Sequence, residues 1–200
     1  ERRHPGARID RVAQLAGERR TARVVPFRGE YYKIRSERQH LVRHLIYPVP
    51  DPAYPFLGVH LTPRIDGESD LGPNAVLALA REGYGWGTVN PRELLSTLAY
   101  PGMLRIAKQH WRYGFGEMHR SLSKAAMARQ IQRMLPDVTA ADLSPAGAGV
   151  RAQAVKPDGT LVDDFLFAEQ GTGPGAVLHV LNAPSPAATA ALPIGREILT

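Results

Sequence analysis

Seven polar side chains fall on segments whose apolar residues predict strands. Arg28, Glu30, Tyr31 and Tyr32 share one segment, His60 lies on another, and Arg151 and Gln153 lie on a third. Arginine is the natural clamp for a planar carboxylate, because its rigid fork makes two parallel charge-assisted hydrogen bonds. Small residues, Gly147-Ala148-Gly149-Val150, precede Arg151 and leave room for a ligand beside the backbone. By residue type alone the set is an anion site shared by several strands. The plain alternative for each arginine is a solvated or paired structural residue.

Other chemistries lack their residues. The chain has no cysteine, which excludes disulfides, thiolate metal sites and a cysteine nucleophile. Among seven histidines, only His40 and His44 have i, i+4 spacing, and they lack the glutamate of a zinc-protease helix. No G-x-S-x-G occurs, so a serine hydrolase elbow is absent. Gly171-Thr172-Gly173-Pro174-Gly175 precedes a strand instead of following one, and reads as a turn.

The elements that must position these residues follow from periodicity. Ile9, Val12, Leu15 and Ala16 predict a short helix stopped by Gly17. Strands are expected at 24–34, 44–50, 58–65 and 68–74, with Asp66-Gly67 as a hairpin turn. Asn90-Pro91-Arg92-Glu93 reads as a capped helix start. Two more helices are expected at 103–114 and 118–134. Strands return at 149–155, 162–168 and 176–181, followed by a helix over the Ala-rich 184–198. The fold class is therefore α+β, an antiparallel or mixed sheet covered by helices.

Two hundred residues with 44% hydrophobic and 22% charged content suffice for one domain or two small ones. No apolar run approaches the roughly 18–20 residues of a spanning helix. The net charge of +6 attracts anions, but the basic residues are interleaved with acids and no nucleic-acid-binding motif accompanies them. Nucleic acid is not an expected partner, and no metal is expected. The chain opens Glu1-Arg2-Arg3-His4-Pro5, without an initiator methionine, inside what reads as a helix; a piece of a longer protein is the expectation.

Several segments together resemble a known family. They are Pro26-Phe27-Arg28-Gly29-Glu30-Tyr31-Tyr32, Phe56 to Arg64 with Asp66-Gly67, Leu71-Gly72-Pro73-Asn74-Ala75-Val76, Gly149 to Val155, Asp163-Asp164-Phe165 and Asn182 to Thr189. In this order they resemble the L-2-hydroxyglutarate oxidases and dehydrogenases of the FAD-dependent D-amino-acid oxidase-like superfamily, from about Ile9 to the C-terminus. The family's opening strand, G-x-G-x-x-G turn and ribose-binding acid have no counterpart here.

The resemblance implies a three-part organisation: residues 1–22 as a remnant helix of an FAD-binding domain, 23–146 as a substrate-binding domain, and 147–200 as the return to the FAD-binding domain. It implies FAD as cofactor, a 2-hydroxy dicarboxylate as substrate, and oxygen or a quinone-linked acceptor as electron sink. Arg151 matches the family's substrate-carboxylate arginine. His60 matches a substrate-contacting strand position and, titrating near neutrality, is the candidate base. Tyr31 and Glu30 occupy a position of polar substrate contacts. Asn182, Pro184, Ser185, Pro186 and Ala187 match the loop that passes the flavin ring. A cytoplasmic or membrane-peripheral location is expected. Two alternatives stay open: a sister activity on another hydroxy or amino acid, or a non-catalytic anion-binding remnant.

Overall fold

The computed structural model describes residues 5–18, 21–49, 58–184 and 187–199. Its centre is the strand β1 (Arg23–Ile34), rich in the β-branched and aromatic residues that suit a pleated surface. β1 is buried along most of its length because it has neighbours on both edges. On one edge lies β5 (Leu143–Val155), antiparallel along almost all of β1. On the other lie β3 (Ser69–Gly72) and the short β4 (Val76–Leu77), and β2 (His60–Pro63) pairs with β3 beyond. The expected antiparallel sheet joining the His60 and Arg151 segments is thus present. β5 also runs unbroken across the boundary expected at 146/147.

A short helix α1 (Ile9–Leu15) precedes β1 and ends near Gly17, whose φ of +95° suits a residue without a Cβ. Three helices follow β4. α2 (Pro91–Leu98) begins as its sequence predicts, with the Asn90 side chain accepting from the Glu93 amide. α3 (Pro101–Leu122) differs from expectation. It bends at His110 but continues through Gly114 and Gly116. Each helical glycine costs about 1 kcal/mol, which the contacts of Glu117 and Ser121 with the sheet region offset. The break comes at Ser123, whose hydroxyl accepts from the Ala126 amide and starts α4 (Lys124–Gln132). Met127 and Ile131 of α4 are fully buried against Tyr32, Ile34, Leu61, Leu71 and Leu143, forming the larger core.

Two expected strands are shortened. Residues 44–49 contribute only a bridge between Ile46 and Leu61; Pro48 has no amide hydrogen with which to extend the ladder. Residues 162–165 lie outside the ladder, and the strand begins later as β6 (Leu166–Gln170). β6 pairs antiparallel with β7 (Val177–Asn182) in a separate two-stranded sheet. The Ala-rich tail forms turns at 187–190 before the final helix α5 (Ala191–Leu199). No described helix is long and apolar enough to cross a membrane.

Candidate active site

The register of β1 against β5 sets the site. Phe27 pairs with Arg151, Arg28 with Val150, and Gly29 with Gly149. Where the two glycines leave the strands bare, a cleft of about 450 Å³ opens. A Cβ on Gly29 would collide with the Pro73 ring and approach the Asn74 carbonyl, so the sheet and the 73–75 turn close up only around glycine here. Tyr31, His60 and Arg151 line this cleft together, although they come from three strands.

His60 is held in one tautomer. Its Nδ1 lies 3.1 Å from the Gly58 carbonyl, which can only accept, so Nδ1 carries a hydrogen and, in the neutral ring, the lone pair is on Nε2. The imidazole stacks on the Tyr47 ring with centroids 4.5 Å apart at 14°, fixing its plane. The arrangement equips Nε2 to accept a proton. Burial, reinforced by the charge of Asp70, raises the pKa of the Tyr31 phenol, so it remains a hydrogen-bond donor at neutral pH.

Glu30 faces a different task. Its carboxylate accepts from Arg28 Nη2 at 2.9 Å, from Asn74 Nδ2 at 3.1 Å and from the Ser121 hydroxyl, and its amide donates to Asn74 Oδ1 at 2.7 Å. It braces β1 to the 73–75 turn and to α3, and it is not among the residues lining the cleft. Glu117, from α3, does line it; its carboxylate accepts from the Ala75 amide at 2.9 Å and pairs with Arg120.

Arg151 also borders a second cleft, of about 660 Å³, whose other walls include Ile9, Ala152, Ala183 and Pro184. The residue as a whole is exposed, yet burial around its guanidinium lowers its pKa from the ordinary value, with Asp163 acting in the opposite sense. Asn182 belongs to this wall, but its side-chain amide donates to the Val162 and Asp164 carbonyls at 3.0 and 2.8 Å, anchoring the end of β7. Gln153 is likewise occupied, donating to the Ala154 and Val162 carbonyls. The Ala187 amide closes a turn onto the Pro184 carbonyl. Ser185 and Pro186 lie outside the described residues.

A family model described as FAD-dependent oxidoreductase matches residues 5–199 of this sequence. The chain belongs to the FAD-dependent oxidoreductase family. Within it, the chain is 49% identical over 195 residues to the mitochondrial L-2-hydroxyglutarate dehydrogenase of Caenorhabditis elegans, covering 96% of this chain and 45% of that protein. It is 50% identical over 194 residues to the L-2-hydroxyglutarate dehydrogenase of Indibacter alkaliphilus, covering 96% of this chain and 48% of the relative. With the Escherichia coli K12 protein of the same name the identity is 49% over 195 residues, covering 98% and 45%. The chain therefore spans just under half the length of these curated relatives.

Membership of this family makes FAD the cofactor to test against the second cleft. The lining joins aliphatic Ile9, Ala152, Ala183 and Pro184 to polar Arg151, Gln153, Asp163 and Asn182, and this mixture fits a flavin ring, which has an apolar xylene end and a polar pyrimidine edge. The 200 residues contain no G-x-G-x-x-G for the pyrophosphate, so the fit is to the ring end only.

The residues that sequence reasoning missed come from distant segments. Tyr47, Asn74, Tyr113 and Glu117 reach the site or its supports from loops and from a helix whose pattern reads only as core-facing. Asn74 sat within a quoted motif, Leu71 to Val76, and that was its available signal. Arg28 stood among the polar strand residues but carried no assigned role.

Proposed function

We propose that this chain supplies the substrate-facing site of an FAD-dependent oxidoreductase that converts L-2-hydroxyglutarate to 2-oxoglutarate. The observation that carries the reading is the position of Arg151 between the two clefts, one lined by His60 and Tyr31 and the other by a wall suited to a flavin ring. On this reading residues 23–146 are the substrate-binding domain, and 1–22 and 147–200 belong with the FAD-binding domain.

In the proposed reaction Arg151 holds the carboxylate next to the reacting carbon through its guanidinium fork. Tyr31 donates a hydrogen bond to the bound acid. His60 Nε2 takes the hydroxyl proton, with the Gly58 carbonyl and the Tyr47 ring holding the imidazole in position. Bound FAD supplies the acceptor for the hydride leaving the α-carbon. Asn182, Pro184, Ser185, Pro186 and Ala187 form the proposed flavin-side loop. Asn182 serves it by fixing the backbone, because its amide is already committed to two carbonyls. The final acceptor is oxygen or a quinone-linked carrier.

The test is anaerobic flavin reduction in a full-length flavoprotein carrying this sequence. L-2-hydroxyglutarate should bleach the flavin, and the D-enantiomer, 2-hydroxy monocarboxylates and amino acids should do so much more slowly. No bleaching by L-2-hydroxyglutarate rejects the substrate; equal bleaching by an amino acid favours the sister activity. Mixing FAD with the 200-residue chain and examining the spectrum after gel filtration tests whether these residues retain flavin by themselves.

A further inference from the structure

Arg28 is only 1% exposed, and its guanidinium is poorly satisfied. Nη2 donates to Glu30, while Nε and Nη1 are buried without a hydrogen-bond partner among the described residues. The Trp86 ring covers the guanidinium, 4.1 Å from its carbon to the ring centroid. Glu30 Oε1 pairs with Nη2 and balances the charge, while its Oε2 is taken up by Asn74 and Ser121, so the carboxylate leaves Nε and Nη1 unserved. A buried cation with unused N–H groups is costly unless a partner completes it.

The location indicates what that partner is. Arg28 lines the same cleft as Arg151, one strand away, so two guanidinium groups border it, while the Glu117 carboxylate in the same lining is paired to Arg120. A monocarboxylate needs one of them; a dicarboxylate uses both. Trp86 sits between Gly85 and Gly87. A Cβ on Gly87 would meet nothing within 4 Å, and one on Gly85 only the Thr88 hydroxyl at 4.0 Å. Two uncrowded glycines therefore flank Trp86 and give its backbone the freedom to re-orient the ring.

We propose that Arg28 is a specificity-determining residue: its Nη1 binds the carboxylate remote from the reacting carbon when Trp86 moves off it. This inference rests on the proposed 2-hydroxyglutarate activity and deepens it. Arg151 reads the acid at the reacting end, and Arg28 reads the acid at the far end.

The test compares L-2-hydroxyglutarate with L-2-hydroxyvalerate, which carries a methyl in place of the remote carboxylate, in the full-length flavoprotein. Two variants are used: Arg28→Lys keeps the charge beside Glu30, and Arg28→Gln keeps a donor. Bound-flavin absorbance and thermal unfolding check the fold of each. The ratio of kcat/KM values, dicarboxylate over monocarboxylate, should fall by about 10- to 100-fold in both variants, the size of a lost charge-assisted hydrogen bond. Parallel losses on both substrates, or loss of flavin and fold in both variants, would assign Arg28 to structure and overturn the proposal. A wild-type protein that oxidises neither substrate overturns the functional reading itself. Wild-type turnover of the dicarboxylate with an unaltered ratio in the variants overturns only the role of Arg28.

Discussion

Arg28 and Arg81 are buried to nearly the same degree, 1% and 2% exposed, yet their surroundings differ in kind. Arg81 Nη1 donates to the Ala7 carbonyl at 2.6 Å and to Asp10 Oδ1 at 2.5 Å, and Nη2 donates to Asp10 Oδ2 at 2.8 Å. Asp10 also accepts from the Val24 and Arg11 amides, and Glu93 accepts from the Arg81 amide and the Arg11 guanidinium. The network ties α1, β1, the segment after β4 and α2 into one body. At Arg28 one nitrogen has a partner, a tryptophan covers the guanidinium, and two nitrogens have no hydrogen-bond partner among the described residues. Burial of a charge thus does not distinguish a site from a strut. The completeness of its hydrogen bonding does.

The comparison breaks most readily at Arg81. Arg81→Met leaves Asp10 buried without its counter-ion, and removing one member of such a pair costs about 3–5 kcal/mol. Denaturant unfolding should show that loss, and a loss below about 1 kcal/mol would mean the network is not a strut. The substrate preference of whatever protein remains folded should match wild type.

His60 lies on the other side of the comparison. His60→Ala should lower kcat by roughly 100-fold or more, with little change in unfolding, and should alter the acidic limb of the pH–rate profile. An acidic limb identical to wild type would remove His60 as the base. Arg151→Ala should lower kcat/KM by roughly 30- to 1000-fold, equivalent to about 2–4 kcal/mol, and leave flavin content intact. Arg151→Lys should restore only part, since the fork is lost. Near-normal kcat/KM in Arg151→Ala would place the clamp elsewhere.

The smallest effect is expected at a capping box remote from both arginines. The Thr139 amide and hydroxyl both donate to Asp142, lowering the pKa of its carboxyl below the usual range. A depressed folded-state pKa stabilises above the unfolded value, about 3.9, and this contribution is lost as pH falls through the lowered value. Thr139→Ala should cost about 1 kcal/mol near neutrality, and less once the carboxyl protonates. A cost independent of pH between 2 and 6 would separate the cap from the charge of Asp142.

Much of this was legible in the residues. β1, the β2–β3 hairpin and the Asn90 cap announced themselves through alternation, Asp66-Gly67 and Asn90-Pro91, because these signals act within a few residues. His60, Tyr31 and Arg151 were nameable from residue type and motif. The continuation of α3 through Gly114 and Gly116 was not, because local propensity charges each glycine its cost while the compensating contacts lie on another element.

Sequence by itself determined the α+β class, the family and the three residues that converge on the cleft. Tertiary structure decided what each neighbour does. Glu30 and Arg28 stand two residues apart on the same strand and read alike as polar candidates. Only the packed fold shows Glu30 taken up by Arg28, Asn74 and Ser121 while two nitrogens of Arg28 have no partner among the described residues. The reason is physical: a side chain's type sets which bonds it can make, whereas which of them are already made depends on partners 44 and 91 residues away, brought there by folding alone.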